Sequence, residues 1–286
     1  MFINKAVRYL KRVRAMQRIN VGLSRGAITS FNRSLDITNP ISWEFSALSQ
    51  SGEDGIIDVL TSKIKYPNKY FVEIGSSDGI ENNTSYLAIV KKFSGVMIEW
   101  NKQSSLECEL NVSHLCSHLF VKCVSTFVYS ENVSQILKEF VIYKNPDVFS
   151  LDIDGNDYHV TKSMMENDFR PKIIVVEYNS AFGPDRSQTI EYNNSLTHMA
   201  DSHHGLYYGV SISGWRKFFN QLGYKFVTVN SDGVNAFFID PQEFSCDFTD
   251  NICGLNFAEN AYQTLKFKNS HEEQYDRIKD EKFIQI

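Results

Sequence analysis

No stretch of this 286-residue chain approaches the roughly 20 consecutive apolar residues that a bilayer-crossing helix needs. The N-terminus also lacks the compact apolar run and small-residue cleavage site of a secretory signal, so the expected compartment is the cytoplasm. Cysteine is sparse and odd in number. Cys108, Cys116, Cys123, Cys246 and Cys253 form no C-x-x-C pair, which argues against a disulfide framework or a structural zinc site and predicts buried, reduced thiols. Acid is missing altogether from residues 1–34, which carry eight bases: Lys5, Arg8, Lys11, Arg12, Arg14, Arg18, Arg25 and Arg33. The remaining 21 bases face 34 acids, an acidic body that argues against a nucleic-acid partner. Internal repeats are absent too. Apolar residues are not scarce: 42% hydrophobic against 22% charged describes a folded globular chain rather than a disordered one.

Ile3, Val7, Leu10 and Val13 recur at helical spacing, predicting an amphipathic helix over 2–19. Its basic surroundings suit packing on the body, contact with another copy, or peripheral contact with an anionic membrane surface. Gly22, Ser24, Gly26 and Pro40 then predict a linker over 20–42. From Trp43, strands near 70–74, 95–98, 119–124, 148–153 and 173–177 alternate with helices near 54–65, 84–92, 103–111, 132–140 and 159–167. Such alternation predicts an α/β fold with an open, mostly parallel sheet. After a helix near 213–222, the runs 224–229 and 235–239 flank an Asp232-Gly233 turn, predicting an antiparallel C-terminal hairpin strand. The expected organisation is a basic helix and linker (1–42), a catalytic domain (43–245) and a tail (246–286) of undefined packing.

Phe71-Val72-Glu73-Ile74-Gly75 ends the first strand, and Gly75-Ser76-Ser77-Asp78-Gly79 turns toward the next helix. In open α/β sheets ligands bind at the carboxyl ends of strands. A pyrophosphate-binding turn would read G-x-G-x-x-G; this one reads E-x-G-x-x-x-G, and its acids would repel phosphate while attracting a sulfonium or ammonium group. At the end of the second strand Glu99 offers a carboxylate for ribose hydroxyls and Trp100 an aromatic face for adenine.

These segments, with Asn83-Thr84 and Gly95–Glu99, resemble the first two motifs of class I S-adenosylmethionine-dependent methyltransferases, and especially the FkbM-like group acting on sugar, polyketide or polysaccharide hydroxyls. The resemblance covers residues 43–240. It implies a Rossmann-like methyltransferase sheet, Glu73, Gly75 and Asp78 near the amino-acid part of S-adenosylmethionine, and Glu99 on its ribose. Ser76, Gly79, Asn83, Thr84 and Trp100 complete the expected cofactor contacts, and Gln50, within Ser49–Gly55, resembles a segment that lies over the cofactor.

The fourth strand leads into Asp152-Ile153-Asp154-Gly155-Asn156-Asp157-Tyr158-His159, and the fifth into Glu177-Tyr178-Asn179. Oxygen ligands alone suit a hard divalent cation such as Mg²⁺ or Mn²⁺, and the pattern resembles metal-assisted O-methyltransferases, with Asp152 or Asp154 joined by Glu177 and Asn179. A bound cation lowers the pKa of an acceptor hydroxyl, and Asp157 or His159 is the expected base. Alternatively these acids cap the following helix and satisfy loop amides. Between Asn179 and Ser213 an insertion holding Phe182–Arg186, His198, Asp201, His203, His204, Tyr207 and Tyr208 suits a small-molecule or glycan acceptor. Against the methyltransferase reading stand a nicotinamide-dependent sugar oxidoreductase and a catalytically silent cofactor-binding assembly subunit.

Overall fold

The computed structural model of the chain describes residues 2–116, 120–193 and 205–286. His198, Asp201, His203 and His204 lie outside them. Strands β1 (Tyr70–Ile74), β2 (Ser94–Glu99), β3 (Val121–Ser125), β4 (Val148–Leu151) and β5 (Ile173–Glu177) run parallel. With β6 (Gln188–Ile190) set apart, β7 (Lys225–Val229) and β8 (Asn235–Ile239) complete a seven-stranded sheet in the order β3-β2-β1-β4-β5-β8-β7, with β8 antiparallel to both neighbours. This is an open, mostly parallel Rossmann-like sheet, including the reversed hairpin strand that the sequence predicts.

The central strands are covered on both faces, which explains why they read as unbroken apolar runs. Alternate residues divide between two cores. Val72, Ile98, Phe149, Val176 and Phe238 pack on α5 (Val133–Phe140), α6 (Asp157–Glu166) and α7 (Ile212–Gln221). Phe71, Met97, Val148, Val175 and Phe237 pack on α2 (Glu53–Ser62), α3 (Ser85–Ile89) and α4 (Lys102–Leu115). Connections from β1 run to one side and return across to β4, so a crevice opens between the carboxyl ends of these two strands.

Helix α1 (Phe2–Asn32) is longer than expected: the predicted linker is helical as far as Asn32. Each helical glycine costs about 1 kcal/mol relative to alanine, but here glycine lets the helix sit against the body. A Cβ on Gly22 would lie 2.3 Å from the Ala47 carbonyl oxygen, and one on Gly26 would lie 2.4 Å from the Ala47 Cβ. Ala15 and Ile19 join Phe45, Leu48 and Ile80 in the resulting small core.

The C-terminal tail also acquires defined packing. It forms α8 (Cys246–Asp250), α9 (Ala261–Phe267), α10 (His271–Tyr275) and β9 (Phe283–Gln285), and β9 pairs antiparallel with β6 of the insertion. Phe182, Ile190, Tyr207 and Tyr208 meet Phe267, Ile278 and Phe283 in a shared core. All five thiols are free, but Cys246 and Cys253 are exposed, contrary to the expected burial. They lie on the tail, which carries no apolar periodicity that would place one face inward.

Candidate functional site

β1 ends beside β4. Gly75 adopts φ +90°, and its amide donates to the Ile98 carbonyl at 2.9 Å. Ser77 follows in the left-handed region, at φ +48°, which turns its amide toward Glu99. The Glu99 carboxylate accepts from the Ser77 amide at 2.9 Å and the Asn101 amide at 2.7 Å, so its orientation is fixed. A carboxylate has about four acceptor positions, leaving capacity for two further hydroxyls.

Around this turn lies a cavity of about 640 Å³ lined by Gln50, Gly75, Asp78, Glu99, Trp100 and Phe127, among others. Trp100 meets Phe127 with ring centroids 5.9 Å apart, and Phe127 stacks on Tyr129 at 4.5 Å. Aromatic surface and carboxylates thus line the same cavity. Five of the expected cofactor residues line it: Gln50, Gly75, Asp78, Glu99 and Trp100.

The other five shape the loop from behind. Glu73 is buried, accepting from the Asn83 amide at 3.0 Å and the Thr84 hydroxyl at 2.5 Å. Asn83 donates to the Ser150 hydroxyl, the Gly79 carbonyl accepts from Ser85, and Ser76 is buried. Where cofactor contacts are expected, these five support the loop instead: Glu73 points off a strand covered on both faces, and Ser76, Gly79, Asn83 and Thr84 hydrogen-bond within the turn behind the cavity lining.

Burial raises the Glu73 pKa to about 7, partly offset by the Thr84 and Asn83 hydrogen bonds. The folded chain therefore binds this proton more tightly than the unfolded chain does. Its stabilising contribution is complete below the ordinary value of 4.5 and is lost as pH rises through about 7. Glu73→Gln should accordingly flatten the decline of stability between pH 5 and 8, by on the order of 1–3 kcal/mol. Urea unfolding at both pH values measures this, and an unchanged slope would remove Glu73 as its source.

Where β4 and β5 end, Asp152, Asp154 and Glu177 each present an oxygen within 4.8 Å of the other two. Burial and mutual repulsion raise the pKa of Asp152 and of Glu177 well above the carboxylate range. The buried Glu177 Oε2 finds no hydrogen-bond partner among the described residues. Three hard oxygen donors on a charge-excess site fit a divalent cation.

Asn179, the fourth expected ligand, is turned away. Its carbonyl oxygen accepts from the Ala181 amide at 3.0 Å, while its amide donates to the carbonyls of Leu206 at 2.7 Å and Tyr208 at 3.0 Å. It ties the insertion to the sheet. Both expected bases are likewise engaged elsewhere. Asp157 accepts from the amides of Ile153 at 3.1 Å and Gly155 at 2.9 Å, closing the turn before α6. His159 Nε2 lies 3.1 Å from the Ile190 carbonyl, between the rings of Tyr158 and Tyr192, and burial lowers its pKa. Neither residue lines the cavity, which is the loop-structural alternative of the sequence reading.

A second cavity of about 480 Å³ adjoins the first and shares Gln50, Asp152 and Asp154 with it. Glu177, Tyr208, Asn260, Tyr262, Gln263 and Lys266 form part of its wall. Tyr208, from the insertion, accepts from the Gln263 amide at 2.9 Å, and burial beside the three carboxylates holds its hydroxyl protonated. Arg186 is spent on packing, donating to the Phe182 carbonyl and stacking 3.8 Å over Tyr275. The α9 residues carry no motif, and only their place in the fold brings them to the site.

No protein-family profile matches the chain, and no curated protein matches it. Among solved structures, an O-methyltransferase from Bacillus cereus in complex with SAH aligns at a TM-score of 0.42 and 15% identity, covering 78% of this chain and 89% of that one. The O-methyltransferase TomG from Streptomyces achromogenes, involved in tomaymycin synthesis, aligns at 0.39 and 15%, covering 76% and 87%. A SAM-dependent methyltransferase from Aquifex aeolicus aligns at 0.41 and 8%, covering 66% and 89%. Likenesses this distant carry no argument about activity; the fold rests on the strand order and the site on its own geometry.

Proposed function

We propose that the chain is an S-adenosylmethionine-dependent O-methyltransferase of the FkbM-like kind, acting on a hydroxyl of a sugar or surface polysaccharide with the help of a divalent cation. The observation that carries this reading is the meeting of two cavities at the Asp152–Asp154 carboxylates. Group transfer requires a donor and an acceptor approaching one point from two sides. When bound, S-adenosylmethionine supplies a methyl group on a sulfonium cation, which the carboxylate-lined first cavity favours electrostatically. Glu99 receives the ribose hydroxyls, and Trp100 and Phe127 cover the adenine.

The acceptor takes the second cavity. Asp152, Asp154 and Glu177 hold the cation, whose chemistry is to lower the pKa of an adjacent hydroxyl. Tyr208 and Gln263 supply polar groups for the rest of a polyhydroxylated acceptor, while Tyr262 and Phe267 offer sugar-stacking surface. A nicotinamide dinucleotide fits poorly, because its pyrophosphate would face the same carboxylates.

The outward side of α1 exposes Tyr9, Leu10, Val21, Ile28 and Phe31 beside bases, and we assign it to peripheral contact with an anionic membrane or with another copy. No helix among the described residues is long and apolar enough to cross a membrane.

Calorimetric titration with S-adenosylhomocysteine beside NAD tests the donor assignment. Glu99→Gln should weaken S-adenosylhomocysteine about 5–150-fold, corresponding to about 1–3 kcal/mol of charge-assisted hydrogen bonding. It should weaken 5′-methylthioadenosine equally, since both carry the ribose. NAD binding without a response to S-adenosylhomocysteine would defeat the proposal.

A further inference from the structure

Resting on the donor reading above, we propose that α1 belongs to the cofactor site and that Arg18 binds the carboxylate of the donor's amino-acid end, with Asp78 taking its ammonium group. The argument begins with charge. Asp78, Glu81, Glu99, Glu107, Asp152 and Asp154 line the first cavity, and among its described lining residues Arg18 is the only base. Carboxylates favour a sulfonium and an ammonium but repel the cofactor's own carboxylate, which therefore needs a cation there.

Arg18 is held in position to supply it. Its guanidinium pairs with Asp78 through one terminal nitrogen and reaches Glu81 at 3.4 Å through the other. Asp78 is itself oriented by accepting from the Ile80 amide at 3.2 Å. The Arg18–Asp78 pair thus presents a positive and a negative group side by side, matching in opposite sign the adjacent ammonium and carboxylate of an α-amino acid. A guanidinium has five N–H donors in a planar fork, so it can keep a contact to Asp78 while engaging a second carboxylate.

The helix is anchored on both sides of Arg18. Lys11 pairs with Glu107 on α4 at 2.5 Å, and Gly22 and Gly26 seat the later turns on Ala47. Residues 1–34 precede the whole sheet in the chain. The ion pair makes this segment a wall of the cavity.

The test compares two ligands on the full chain. S-adenosylhomocysteine carries the amino-acid end; 5′-methylthioadenosine shares the adenosine and sulfur but lacks it. Arg18→Ala should raise the Kd of S-adenosylhomocysteine about 10–100-fold while leaving that of 5′-methylthioadenosine within about twofold, because hydrogen bonds between charged groups are of that size. Arg18→Lys should fall between wild type and alanine. Unchanged S-adenosylhomocysteine affinity in Arg18→Ala would overturn the assignment, and so would an equal loss for both ligands, which would mean that α1 only covers the cavity. Failure of the wild-type chain to bind S-adenosylhomocysteine would instead overturn the donor reading itself, and this assignment with it.

Discussion

Glu177→Gln is expected to abolish the thermal stabilisation that Mn²⁺ gives the wild-type protein and to lower methyl transfer on the order of 100-fold or more, the usual size of acid–base and electrostatic contributions at such sites. The substitution keeps the volume of the side chain and removes one of three charges converging within 4.8 Å. Glu177 is buried, its Oε2 has no hydrogen-bond partner among the described residues, and its pKa and that of Asp152 are both raised by burial and repulsion. Such a pair holds either a proton or a cation. Cation binding must then release protons, so wild-type Mn²⁺ affinity should rise with pH. Replacing a carboxyl that must hold a proton in the metal-free fold should also make the metal-free variant more stable than wild type at neutral pH, by about 1–2 kcal/mol. S-adenosylhomocysteine affinity should be unchanged. Two results would sink the metal assignment: the same Mn²⁺ shift in both proteins, or full wild-type turnover in EDTA on a competent hydroxyl acceptor. The second would leave Glu177 as a metal-free base.

Much of this site can be read along the chain because its chemistry lies where strands end. Buried parallel strands are short apolar runs, so Tyr70–Ile74 and Ile173–Glu177 announce both their extent and the polar residues that follow them. Gly75, Glu99, Asp152, Asp154 and Glu177 follow from that placement. The errors arise where one residue type serves two purposes. Asn179 and Asp157 are polar residues next to a functional loop, and both satisfy backbone groups instead of a ligand. Backbone polar groups at strand ends are as demanding as any substrate, and spacing does not separate the two roles.

What was not legible depends on long-range contact. Arg18 reaches Asp78 across 60 positions, and Gln263 reaches Tyr208 across 55. Gly22 and Gly26 read as breakers because helix propensity is local, whereas their function is to admit Ala47. The tail has little periodicity because its short helices and β9 cover an insertion that is itself irregular. Of these segments α9 walls the second cavity, which is why that cavity is less defined by sequence than the first.

Gly75→Ala is expected to be the most damaging single-methyl substitution at the site. Gly75 lies at the crevice between β1 and β4, at φ +90°, where a side chain is strained whatever the space. A Cβ there would also lie 1.7 Å from the Asp152 carbonyl oxygen, which is backbone and cannot swing aside. Asp152 is held in turn by its amide, which donates to the Ile74 carbonyl at 3.0 Å, so relief requires β1 and β4 to part where the cavity begins. Strain and overpacking together should cost about 3–5 kcal/mol, lowering Tm by roughly 5–8 °C in a chain of this size. Gly155→Ala is the control. It lines the same cavity, and its added Cβ would meet only the Ile153 carbonyl oxygen, at 3.7 Å. Its effect on stability should stay within about 0.5 kcal/mol. Because the Gly75 backbone bounds the first cavity and fixes Asp152, Gly75→Ala should lose S-adenosylhomocysteine and Mn²⁺ binding together even at temperatures where it remains folded. Equal stability of the two variants would show that β1 and β4 are not locked at this point, and retained binding of both ligands would remove the loop from the site.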